Sequence, residues 1–386
     1  MDTFSDKALP TVEQGDQTHV EEQVRRSSRS HLCLISTPAI RLALPQDPVP
    51  EAWQRGLKQL LDWLDLDMLP TITPASRRLQ QFAHWATPGL TADNAAIFAP
   101  WHITSPVMLQ KSDGGSAPQV TWLASYLFDY GASKMPRRGP FDLVLMSPHP
   151  AACQPAQAGD APLPRLTLMK TMIAAAKAEG RRKVAIIVDA DKRNAMTSQL
   201  LLADRALTRD DIALEILSVE DALGVLVRQP DCWDALIVMP QWRSVVFAVL
   251  AELSGIKQPW PLLWYRKGLQ LVTSEAIGPR GATQTFDGPL LVLGLIAAMQ
   301  QQGQPHASQQ LYEKAAQIWD RGVATPGRPS VAPYAHHLND EEFLGQITKT
   351  PPATNHRPTQ PWRLLTGRGP EESVSRKAKL RLVVPD

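Results

Sequence analysis

Polar side chains follow apolar runs at several points where chemistry could use them. Asp189, Asp191 and Lys192 come directly after KVAIIV, Glu220 follows LEILSV, and Gln241, Trp242, Arg243 and Ser244 follow DALIVMP. Two carboxylates at strand ends, such as Asp189 and Glu220, would make an acid and a base if their environments set their pKa values apart. Arg243 brings a fixed charge, and its expected contact is a salt bridge to Glu220 or Asp189. If these strand ends line a cleft, His149 and Arg280 are expected at its rim. Each of these has a plainer alternative: strand-end carboxylates are commonly solvated or paired with a nearby arginine, and Arg243 could point into water.

The elements that would position these groups are legible from the pattern. HLCLIST (31–37), AAIFAP (95–100), FDLVLMS (141–147), KVAIIVDA (183–190), LEILSV (214–219) and DALIVM (234–239) read as strands. Trp53 to Leu64, Leu168 to Lys177, Ala222 to Arg228, Val245 to Leu253 and Leu290 to Gln302 read as helices. Alternation of strands with helices predicts an α/β protein whose continuous sheet is flanked by helices. Residues 1–30 and the Pro-rich, then basic stretch 348–386 read as disordered, solvated tails.

Composition narrows the function. The 386 residues carry a net charge of +2, and the basic residues are scattered rather than gathered into a stripe, so no nucleic-acid surface is expected. The longest apolar run, Pro289 to Met299, is about half of the roughly 20 residues a membrane span needs and reads as a core helix. The opening residues lack a secretory apolar run, so a cytoplasmic protein is expected. Cys33, Cys153 and Cys232 have no CxxC or Cys/His spacing, which argues for buried thiols and against a disulfide framework or a zinc site. The four tryptophans Trp233, Trp242, Trp260 and Trp264 lie close in the chain and read as core.

The stretch VEDALGVLVRQPDCWDALIVMPQWRSVVFAVLAELSG (219–255), with Pro230, Trp233 and Asp234 in a "P..FD" pattern, resembles the isocitrate/isopropylmalate dehydrogenase family. LFDYGASKMP (127–136), GPFDLVLMSPH (139–149), RRKVAIIVDADK (181–192) and TSEAIGPRGATQTFDGP (273–289) resemble further segments of that family, in order, from Tyr126 to Ile347. The resemblance implies a two-lobed fold: a larger, nucleotide-side lobe from 31–118 plus 256–347, and a smaller lobe, 119–255, on the metal and dimer side. It also implies oxidation of a 2-hydroxy acid with NAD(P) and Mg²⁺ or Mn²⁺.

The residues depart from the family where its chemistry lies. Its three metal-binding aspartates fall on Glu220, Ser244 and Ala248, leaving Glu220 as the one ligand-type residue, which is too few for a hard dication. Its catalytic lysine falls on Asp189 and the neighbouring asparagine on Asp191; Lys192 would serve only after a slip of the loop. No tyrosine lies between Tyr130 and Tyr265 to handle an enol. Its substrate-gripping arginines fall on Ser125, Met135 and Ser147, with Lys134, Arg137 and Arg138 nearby in a turn of their own. In the nucleotide loop the histidine falls near Gly278, Asp287 lies beyond the position of the aspartate, and Arg280 is the side chain suited to a phosphate. NAD(P) and Mg²⁺/Mn²⁺ binding are therefore in doubt. The long arm that joins two subunits in the family is replaced by the short PHPAACQPAQAGDAPLPR (148–165).

These departures favour a catalytically inactive member of the fold with a binding, regulatory or assembly role. As partners they leave open a homodimer through the helices after Asp234, or a heteromer with an active dehydrogenase or another protein. The alternative is an NAD(P)-dependent 2-hydroxy-acid dehydrogenase-like enzyme with altered chemistry in the same cleft, built on Asp189, Glu220, Arg243 and Ser244. An unrelated α/β protein is the third reading.

Overall fold

The computed structural model describes residues 40–44, 51–66, 68–72, 96–104, 121–130, 141–154, 163–203, 212–266, 268–276, 287–328, 334–349 and 362–366. The strand expected at 31–37, most of both tails, Lys134, Met135, Arg137, Arg138, Gly278 and Arg280 lie outside them.

In chain order the elements are β1 (Ile40–Leu44), α1 (Glu51–Trp63), β2 (Met68–Ile72), β3 (Ile97–Thr104), β4 (Trp122–Phe128), β5 (Asp142–Pro148), β6 (Cys153–Gln154), β7 (Leu163–Pro164) and α2 (Leu166–Ala178). There follow β8 (Lys183–Val188), α3 (Arg193–Ala203), β9 (Ala213–Ser218), α4 (Val219–Arg228), β10 (Ala235–Val238), α5 (Arg243–Ser254), β11 (Trp260–Tyr265) and β12 (Leu269–Glu275). The chain then forms α6 (Gly288–Gln301), α7 (Pro305–Asp320), β13 (Val323–Ala324), β14 (His336–His337), α8 (Asp340–Lys349) and α9 (Arg363–Thr366).

One ten-stranded sheet runs β2-β1-β3-β12-β11-β4-β5-β10-β8-β9. Its two flanks are parallel: β2, β1, β3 and β12 on one side, and β5, β10, β8 and β9 on the other. Between them, β11 and β4 pair antiparallel with each other and with their outer neighbours. Strands in the interior of such a sheet are covered on both faces and need continuous apolar runs. Accordingly WLASYLF in β4 and WPLLWY in β11 are buried along their whole length. β3, β5, β8, β9 and β10 match strands expected from sequence, whereas β1, β2, β4, β11 and β12 were not foreseen. Thr273, Ser274 and Glu275, placed by sequence in a nucleotide loop, instead end β12.

α6, drawn from the apolar run at 289–299, is buried from Gly288 to Met299 and packs on β3, β11 and β12. Among the described residues, no helix is long and apolar enough to cross a membrane. α5 starts as expected and ends at Gly255, whose φ of 72° is the left-handed cap that glycine adopts without cost.

The amino-terminal ends of β5, β8 and β10 are tied together by charge. Arg181 is fully buried, and its Nη1 donates to Asp142 Oδ1 at 2.9 Å, to Asp142 O at 3.0 Å and to Asp234 O at 2.9 Å. Asp234, the aspartate of the "P..FD" pattern, accepts from the backbone N–H groups of Arg182 and Lys183, each at 2.9 Å. A carboxylate that satisfies two main-chain donors fixes where β8 begins beside β10. The Asp234→Ala protein is therefore expected to lose about 1–3 kcal/mol in urea unfolding. Asp234→Asn, which keeps one acceptor oxygen, should lose less.

Candidate functional site

β8 and β10 are neighbours and leave the sheet through the same kind of turn. After β8, Asp189 (φ −64°, ψ 147°) leads into a single 3-10 turn, Ala190–Lys192, and α3 begins at Arg193. After β10, Met239 (φ −60°, ψ 147°) leads into Pro240–Trp242, and α5 begins at Arg243. Pro240 suits this second turn, because its fixed φ is already that of a helix start. With the strands in parallel register, the turns lie side by side. Asp189 Oδ2 accepts from Gln241 Nε2 at 2.6 Å, and Oδ1 accepts from Trp242 Nε1 at 2.7 Å. Asp189 is half-buried.

Arg243 turns away from this pair and into the protein. Its side chain is 1% exposed and Glu275 is 0% exposed. Nε donates to Glu275 Oε1 at 3.0 Å and Nη2 to Glu275 Oε2 at 2.7 Å, a two-pronged match of guanidinium to carboxylate. Nη2 also donates to Ser125 Oγ at 2.9 Å, that hydroxyl donates to Glu275 Oε2 at 2.9 Å, and Nη1 reaches Leu145 O at 3.4 Å. The pairing expected with Glu220 or Asp189 is thus corrected: the partner is Glu275. The reason is geometric, since α5 folds back over the sheet and carries Arg243 towards β5, β4 and β12. Asp189 already has its own donors, and Glu220 stands exposed in the first turn of α4.

The other candidates separate in the same way. Ser244 and Ala248 are half-buried on α5 and Ser125 lies at the ion pair, whereas Ser147 is buried in β5 with its hydroxyl turned to Pro148 O at 3.3 Å. Of the four cleft candidates, Asp189 is engaged by Gln241 and Trp242, and Arg243 by Glu275. Among the described residues no group of His, Cys, Asp and Glu is arranged to hold a metal ion. The residues at the family's metal positions do not fit Mg²⁺ or Mn²⁺, because one exposed carboxylate, a hydroxyl and a methyl cannot replace three anionic oxygens.

His149 is 4% exposed rather than at a rim, and burial lowers its pKa to about 4, which keeps the imidazole neutral. Burial likewise pushes the Cys153 thiol up to about 12 and, with Glu215 nearby, Cys232 up to about 11, so both are poor nucleophiles at neutral pH. Glu275 is the site residue that sequence reading missed, and Gln241 was given no role there. Glu275 had one signal, a carboxylate closing the apolar run LQLVTS.

Asp287 has a structural task. Its Oδ1 caps α6 by accepting from Leu290 N at 3.0 Å, and a Cβ on Gly327 would run into its Oδ2. Burial, with Asp340 adding repulsion, raises its pKa to about 7.

No protein-family model and no curated protein matches the chain. Solved structures do match. Isocitrate dehydrogenase from Methylococcus capsulatus aligns with a TM-score of 0.55 and 12% identity, over 81% of this chain and 98% of that one. The chain has an isocitrate dehydrogenase-like fold. The TT0538 protein from Thermus thermophilus aligns with a TM-score of 0.56 and 16% identity, over 84% of this chain and 71% of that one. At such identities the likeness is one of scaffold, which agrees with the fold expected from sequence.

Arg243→Met is expected to destabilise the protein by about 3–5 kcal/mol, because Glu275 would remain buried and unpaired. Arg243→Met combined with Glu275→Leu should recover most of that loss in chemical denaturation. At Asp287 the folded pKa lies above the unfolded value, so the native state binds the extra proton. Its stabilising contribution is complete below about pH 4 and is lost as pH rises to about 7. Relative to Asp287→Asn, the unaltered protein should thus weaken by on the order of 4 kcal/mol across that interval, read as stability against pH.

Proposed function

We propose that this chain is a non-catalytic protein of the isocitrate dehydrogenase-like fold, with a binding, regulatory or assembly role. The observation that carries this reading is the Arg243–Glu275–Ser125 cluster. Ser125 stands where the resemblance expects a substrate-gripping arginine, and Ser244 and Ala248 stand where it expects metal-binding aspartates. The Arg243 guanidinium is engaged by an internal carboxylate, so it is not offered to a substrate anion. Hydride transfer coupled to decarboxylation gains its rate from a metal and a positioned acid and base acting together, and a chain without these retains scaffold rather than turnover.

A second reading rests on a different observation. β8 and β10 are adjacent, yet the chain leaves β8 outward to β9 and leaves β10 the other way, towards β11. Such a switch point is where open α/β sheets bind ligands. Asp189, held by Gln241 and Trp242, lies at that point and could serve altered chemistry.

The two readings part in one experiment. The protein purified from its source would be examined by native mass spectrometry, and its Tm measured with NAD(P), Mg²⁺ and a panel of 2-hydroxy diacids. The first reading expects a co-purifying protein or non-substrate ligand and an unchanged Tm. Stabilisation by nucleotide and diacid, or their turnover, would contradict it and favour the second.

A further inference from the structure

Trp362 and Arg363 belong to a stretch that sequence assigns to a solvated tail, yet both are bound at the amino-terminal edge of the sheet. Trp362 is 2% exposed, with its ring 4.9 Å from that of Phe128 and 5.8 Å from that of Tyr312. The backbone N–H of Arg363 donates to Asp142 Oδ2 at 2.7 Å, and its Nη1 donates to Asp234 Oδ2 at 2.7 Å. Leu364 is buried beside them.

The carboxylates of the slot that receives this segment keep other partners without it. Asp142 Oδ1 is already paired with Arg181, and Asp234 already accepts from the amides of Arg182 and Lys183. Phe128 and Tyr312 belong to β4 and α7, which other contacts hold in place. Withdrawing the segment would therefore strand neither carboxylate. The occupant, in contrast, is a single helical turn, too short to hold its shape alone. The Arg363–Asp234 pair is also partly open to water.

The geometry points to a built recognition site for an aromatic residue followed by an arginine, which this chain's own Trp362–Thr366 segment fills as a reversible clasp. The aromatic wall takes the indole, Asp142 takes a main-chain N–H, and Asp234 takes the guanidinium. A short peptide of the same chemistry is the class of ligand that would compete with it.

Hydrogen exchange on the full chain tests it without any substitution. Amides of Trp362–Thr366 should exchange at least about tenfold faster than those of β8 and β10, through an opening that leaves the sheet intact. Trp362→Ala should speed exchange in the segment by about tenfold more and leave β8 and β10 unchanged. Arg363→Ala should act in the same direction. A synthetic peptide spanning 360–367 should bind the Trp362→Ala protein saturably, and the same peptide with its tryptophan replaced by alanine should not. Equal protection of segment and strands, parallel acceleration of both, or absence of peptide binding would overturn the clasp. Protection that grows with protein concentration would also overturn it, since the slot would then be filled by a second copy.

Discussion

A buried ion pair holds the centre of this molecule. Arg243 comes from the helix that follows one parallel flank of the sheet, Glu275 ends the last strand of the other, and Ser125 sits on β4 between them. Each flank could satisfy its own backbone hydrogen bonds, but neither could bury its half of the pair alone. Two charges taken out of water are costly, and the cost is offset only when geometry is good and the remaining donors and acceptors find partners. The bidentate contact, the Ser125 hydroxyl and the Leu145 carbonyl meet that condition. The pair therefore favours one registry of flank against flank.

The same constraint shapes the opposite end of the strands. Arg181 gathers Asp142 and the carbonyl of Asp234, and the Asp234 carboxylate gathers the start of β8. Near them, the Tyr126 hydroxyl donates to Glu179 Oε1 at 2.5 Å, and burial raises the pKa values of both groups. At both ends buried arginines meet the chain's own carboxylates, Arg243 with Glu275 and Arg181 with Asp142.

Much of the fold was legible because period and composition carry it. KVAIIV and ALIV announce buried parallel strands, and the apolar run at 289–299 announces a buried helix. The antiparallel centre was harder to read. WLASYLF, WPLLWY and LQLVTSE mix tryptophan, proline and serine, and their identity as strands depends on long-range pairing that no local window contains. At the site only residue types were legible. That positions 244 and 248 carry a hydroxyl and a methyl is read from the sequence, whereas the partner of Arg243 depends on how α5 folds back over the sheet. Trp362 was hidden for a similar reason, since a lone tryptophan among prolines and basic residues has no periodicity to mark it as core.

The most direct measurement is a crystal structure of the protein grown with Mg²⁺ and a 2-hydroxy diacid at neutral pH. The account predicts the Arg243 guanidinium bound to both oxygens of Glu275 and to Ser125, with neither cation nor diacid beside Ser244. Density showing Arg243 released from Glu275 and engaged with a bound carboxylate, or a cation held by Glu220 near Ser244, would contradict it.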